Sequence, residues 1–85
     1  MTVRLDELMA KIKEFVRTTL NSRAHPTNVE CGWQPVHDSG QSYLQLSTYG
    51  SDDRQSEKKV SQTIQIDRAR AAELLAIIHG TFPDL

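Results

Sequence analysis

Apolar residues at the start of the chain recur at three- and four-residue spacing. Leu5, Leu8, Met9, Ile12, Phe15, Val16 and Leu20 would share one face of a helix. The pattern predicts a helix over residues 3–20, with Thr2 as N-cap and Asp6 and Glu7 where the helix dipole favours carboxylates. Pro26 disfavours helix at His25, so this element is expected to end before it. The period then changes to two. Residues 28–36 read as a strand with Val29, Cys31 and Trp33 on one face, and Cys31 is expected to point into the core beside Trp33. Pro35 and the tract His37-Asp38-Ser39-Gly40 supply turn chemistry. Residues 42–49 alternate most regularly, with Leu44, Leu46 and Thr48 on one side and Tyr43, Gln45, Ser47 and Tyr49 on the other. The polar residues 50–58 read as a loop. Residues 59–66 alternate again: Val60, Ile64 and Ile66 point inward, Gln62 is an exception, and Ser61, Thr63 and Gln65 point outward. Asp67 stands where an N-cap belongs, ahead of a helix over 68–79 with Ala71, Leu74, Leu75 and Ile78 on its apolar face. Gly80 is the expected stop, and Phe82 and Leu85 are expected to pack back on the core.

The element order is therefore α-β-β-β-α, an α+β domain spanning residues 1–85. Short connections between strands imply a three-stranded antiparallel sheet with the helices packed on one face. Two amphipathic helices offer more apolar surface than three short strands can cover, and the sheet has two open edges, so a homodimer is expected. Eighty-five residues also lie near the small end of what folds alone.

Composition narrows the class. Cys31 is the single cysteine, which excludes an internal disulfide and a cysteine-based zinc site and suits a reducing compartment. No run is long and apolar enough for a membrane span, and no signal-peptide pattern opens the chain, so a soluble cytoplasmic protein is expected. The net charge of −1 is unevenly spread: residues 1–25 sum to +2, residues 26–57 to −4 and residues 58–85 to +1. That balance argues against a general DNA binder driven by a broad basic surface.

Candidate chemistry is sparse. Cys31 and His37 are six residues apart with no acidic partner placed by motif, and the three histidines lack ligand spacing for a metal. Asp52, Asp53 and Glu57 read as a solvated turn. Phosphate-loop, zinc-protease and nucleophile-elbow fingerprints are absent. A non-enzymatic binding module without cofactor or metal is the expectation. The informative feature is the outward face of the middle and last strands. Tyr43, Gln45, Ser47 and Tyr49 beside Ser61, Thr63 and Gln65 make a polar sheet surface carrying aromatics. Such a surface can stack and hydrogen-bond single-stranded nucleic acid, with Arg54, Lys58 and Lys59 reaching phosphates. It also suits an ordinary solvated sheet face, or a protein partner.

The stretch from Trp33 to Ile78 resembles the C-terminal half of the single-stranded DNA-binding, Whirly-like transcriptional coactivators of the positive cofactor four family. The resemblance rests on the strand SYLQLSTYG, the charged loop SDDRQSEKK, the strand KVSQTIQID and the helix RARAAELLAII. Lys58 and Lys59 match the family's basic segment, Ile64-Gln65-Ile66 its last strand, and Asp67 its helix cap. The resemblance implies a dimer that binds single-stranded DNA on its sheets. On this reading Tyr43, Tyr49 and Trp33 stack on bases while Arg54, Lys58 and Lys59 contact phosphates. The alternative is a protein-interaction subunit or small inhibitor using the same face, or the acidic loop 50–57.

Overall fold

The computed structural model describes residues 9–50 and 60–85. They form β1 (Met9–Lys11), β2 (Cys31–Asp38), β3 (Gln41–Tyr49), β4 (Val60–Asp67) and α1 (Arg68–Thr81). The chain is thus a small α+β fold with one sheet of four strands and a C-terminal helix, in the sheet order β1-β4-β3-β2.

The β2–β3 hairpin turns on two residues. Ser39 and Gly40 both have positive φ, 52° and 76°, the geometry that matches a two-residue turn to the twist of its strands. Ser39 tolerates it with its hydroxyl donating to Asp38 Oδ1 at 3.1 Å. Pro35, His37 and Asp38, expected as turn, belong instead to β2, which starts at Cys31 rather than at residue 28. A proline is admissible there because β2 is an edge strand and one of its sides needs no N–H donors. β3 and β4 pair antiparallel with an irregularity at Thr48/Tyr49, so β2, β3 and β4 form the expected meander.

The helix expected over residues 3–20 is not formed in its described part. Met9–Lys11 is a strand paired parallel to Thr63–Gln65, the ladder continues through Ile12 N–H to Gln65 O at 2.9 Å, and residues 12–20 carry no regular element. Thr2 and residues 3–8 lie outside the described residues. Two physical reasons favour the strand. The free side of β4 presents backbone donors and acceptors that need partners, and Val16, Thr18 and Thr19 are β-branched and weaken helix. The sheet consequently has four strands, and β4 becomes internal.

α1 follows β4 without a loop. Asp67 is extended, and its Oδ1 accepts from Arg70 N–H at 2.8 Å, the expected N-cap. The helix runs through Gly80 to Thr81 and ends where Phe82 N–H donates to Ile78 O at 2.8 Å. Arg70 fastens the irregular N-terminal segment: its guanidinium donates to Lys13 O and pairs with Glu73 at 3.1 Å.

The core is thin. Ile66 is the one buried apolar side chain among the described residues, at 1 % exposure, and no residue of α1 is buried. Among the strands α1 touches only β4 and β3. Among the described elements β2 contacts only β3, and no helix packs on it. Trp33 is accordingly 73 % exposed and Cys31 is exposed, contrary to the expected core position. Phe82 and Leu85 are exposed as well, because the C-terminus closes into a turn with Leu85 N–H donating to Phe82 O rather than returning to the sheet.

Candidate functional site

Strand alternation and register sort the sheet into two faces. One carries Tyr43, Gln45, Ser47 and Tyr49 of β3, paired with Asp67, Gln65 and Thr63 of β4 and with Val36, Gln34 and Gly32 of β2. Lys11 and Met9 of β1 extend the Gln65 and Thr63 rows. The other face carries Leu44, Leu46 and Thr48 with Ile66, Ile64 and Gln62, and with Pro35, Trp33 and Cys31.

The polar face is internally bonded. Gln65 Nε2 donates to Gln45 Oε1 at 2.9 Å, and the Ser47 and Thr63 hydroxyls are 2.9 Å apart. These cross-strand pairs align the amides and leave Thr63 only 5 % exposed. Aromatic rings flank the strip. The Lys11 ammonium lies 5.6 Å from the centroid of the Tyr43 ring, a cation–π contact. At the other end the Tyr49 ring lies over Gly32, so close that a Cβ there would meet the hydroxyl at 2.9 Å. Glycine is needed at position 32 for this approach, not for backbone freedom. Beside it, Gly32, Trp33, Gln34, Gln45, Ser47, Tyr49 and Val60 line an open concavity of about 270 Å³. Lys11 and Asp67 give these rows one charge of each sign, and Asp67 is engaged as the cap of α1.

Of the residues singled out in the sequence, Tyr43 and Tyr49 share this face. Trp33 alternates onto the row of Leu46 and Ile64 rather than that of the two tyrosines, yet it also lines the concavity beside Tyr49. Arg54, Lys58 and Lys59, with most of the 50–57 loop, lie outside the described residues. Lys11 and Gln34 were not anticipated. Gln34 was legible as soon as β2 alternated, whereas Lys11 was hidden by the helical reading of the N-terminus.

The candidate catalytic pair does not assemble. Cys31 and His37 lie on one strand six residues apart, about 20 Å at the usual strand rise. His37 Nδ1 is instead 2.9 Å from Ser42 Oγ across the hairpin, and His25 Nδ1 accepts from Thr27 N–H at 3.1 Å. Among the described residues no three His, Cys, Asp or Glu side chains come together as a metal site, and no helix is long and apolar enough to cross a membrane. No protein-family model matches this chain, and no curated protein or solved structure shows significant similarity to it.

Proposed function

We propose that the chain is a non-enzymatic binding module that takes single-stranded nucleic acid on the polar face of its sheet. The observation carrying this reading is the concavity of about 270 Å³ where Tyr49, Gln34, Gln45 and Ser47 converge, on the face that also holds Tyr43. An aromatic wall with amide donors and acceptors suits a planar base with a polar edge. Tyr43 and Tyr49 are six residues apart on β3, about 20 Å, so a strand crossing the face meets a second ring after a few nucleotides. Stacking a base is worth about 1–3 kcal/mol, more than the ~0.5–1 kcal/mol of an exposed cation–π pair. A base can therefore displace Lys11 from Tyr43 and free its ammonium for a phosphate. Arg54, Lys58 and Lys59 are the further phosphate contacts of this reading, and the resemblance of Trp33–Ile78 to positive cofactor four proteins points the same way.

The test is fluorescence anisotropy with a labelled single-stranded oligonucleotide across a salt series. Each phosphate contact on a single strand contributes a slope of about −0.7 in log K against log salt. Lys11 alone gives about −0.7, and all four basic residues about −2.8. Absence of binding at low salt rejects the proposal. A protein partner on the same face is the second reading, favoured by the balanced charges of Lys11 and Asp67.

A further inference from the structure

Three glutamines stand in one row across the sheet. Gln34 of β2 is paired with Gln45 of β3, Gln45 with Gln65 of β4, and Gln65 with Lys11 of β1. Paired residues hold their Cβ atoms within about 5.5 Å on one face, so neighbouring amides can reach each other. The row has a direction. Gln65 Nε2 donates to Gln45 Oε1 at 2.9 Å, and the positive charge of Lys11 at the β1 end favours the Gln65 carbonyl on its own side. With its oxygen engaged, the Gln45 amide is left with Nε2, which can only donate. Gln34 stands next in the row, exposed, and among the described residues its side chain has no hydrogen-bond partner. Gln45 and Gln34 both line the concavity walled by Tyr49. Continued in its own direction, the row presents there a donor from Gln45 Nε2, an acceptor from Gln34 Oε1 and a second donor from Gln34 Nε2.

We propose that the concavity selects pyrimidines with an imide edge, thymine or uracil, from a single strand. This rests on the nucleic-acid reading above and adds which base is taken. The Watson–Crick edge of thymine and uracil runs acceptor (O4), donor (N3–H), acceptor (O2), the complement of donor, acceptor, donor. Among the common bases these alone satisfy all three positions; adenine and guanine satisfy two. Cytosine runs donor, acceptor, acceptor, and in either orientation it fits only if the Gln34 amide turns over. That turn sets the Gln34 Nε2 against the Gln45 Nε2, two donors side by side. Turning Gln45 as well would break its bond from Gln65 and leave Gln65 Nε2 facing another donor. Gln65 touches no base on this scheme. It is a positioning residue that sets the direction in which the other two amides read.

The experiment is titration of the full chain with labelled oligo(dT), oligo(dC) and oligo(dU) at one salt concentration and neutral pH. Thymine and cytosine have the same ring size and differ at the edge, so their ratio reads the edge and cancels the phosphate contacts. Oligo(dT) is expected to bind roughly tenfold more tightly than oligo(dC), the size of a bidentate base contact. Oligo(dU) should match oligo(dT), because it carries the same edge without the methyl group. A strand of N3-methylthymine lacks the central donor and should fall to the level of oligo(dC). The ribose pair oligo(U) and oligo(C) should show the same ratio, and the sugar that binds more tightly names the source of the base. Gln65→Glu replaces the donor by an acceptor of the same size, which turns Gln45 and reverses the row. The preference should then invert towards oligo(dC), while the added charge weakens both strands alike. Equal affinity for oligo(dT) and oligo(dC), with salt-dependent binding intact, overturns the base assignment and leaves the binding module standing. Oligo(dU) behaving as oligo(dC), or an unchanged ratio in a folded Gln65→Glu chain, overturns it too. Failure to bind any strand overturns both readings.

Discussion

Gly32 and Tyr49 show how much can rest on one missing atom. With the Tyr49 hydroxyl 2.9 Å from where a Cβ would stand, Gly32→Ala must push the ring away from β2. The ring can swing at its outer end, so the expected loss of stability is small, within about 1 kcal/mol, as for a side chain that yields at its flexible end. The loss of ligand affinity should be larger, because the ring would leave the concavity it walls. Tyr49→Ala should weaken oligonucleotide binding by about 1–3 kcal/mol. Titration of both variants checks the pair of statements: equal affinity for Gly32→Ala and the native chain would show that the concavity is not the site. Cys31→Ser and His37→Ala should leave affinity unchanged, since both side chains alternate onto the other face. This face assignment was legible in the sequence, because two-residue alternation of Tyr43, Gln45, Ser47 and Tyr49 admits one sorting. Side chains on a short strand of uncertain type, Lys11 above all, were not legible.

Among the elements, α1 and β1 mark the two extremes of legibility. The cap of α1 is a local event: Asp67 needs only Arg70 N–H three residues on, and sequence exposes such short-range chemistry. Asp67→Ala should lower stability by about 1 kcal/mol, while Asp67→Asn, which also caps, should cost little. Thermal unfolding followed by circular dichroism distinguishes them, and equal losses would mean that the charge rather than the cap matters. β1 is the opposite case. Leu5 to Leu20 has helical periodicity, yet the pairing that claims Met9–Lys11 is made with Thr63–Gln65, far along the chain. No window around residue 10 contains that partner. The same blindness explains Trp33, which is 73 % exposed where no described element other than β3 contacts its strand. The hairpin, by contrast, needed only Ser39-Gly40 and the flanking alternation.

At the scale of the whole molecule, stability leans on Ile66, the one buried apolar side chain among the described residues. Removing it by Ile66→Ala should cost about 2–5 kcal/mol, comparable to the roughly 3–5 kcal/mol that a core of this size supplies. The variant is therefore expected to be largely unfolded at room temperature, visible as the loss of a cooperative urea transition. A folded Ile66→Ala chain would place the stability elsewhere than in this core. The parallel pairing of β1 with β4 has a further consequence, in time rather than in energy. Met9 leaves the ribosome 54 residues before its partner Thr63. At about 5–20 residues per second that is roughly 3–11 s, whereas a hairpin such as β2–β3 closes within about 10 μs of its emergence. The first strand of the sheet in sequence is thus among the last to be placed. During that wait its apolar neighbours Ile12, Phe15 and Val16 stand in solvent, open to a chaperone or to another nascent chain.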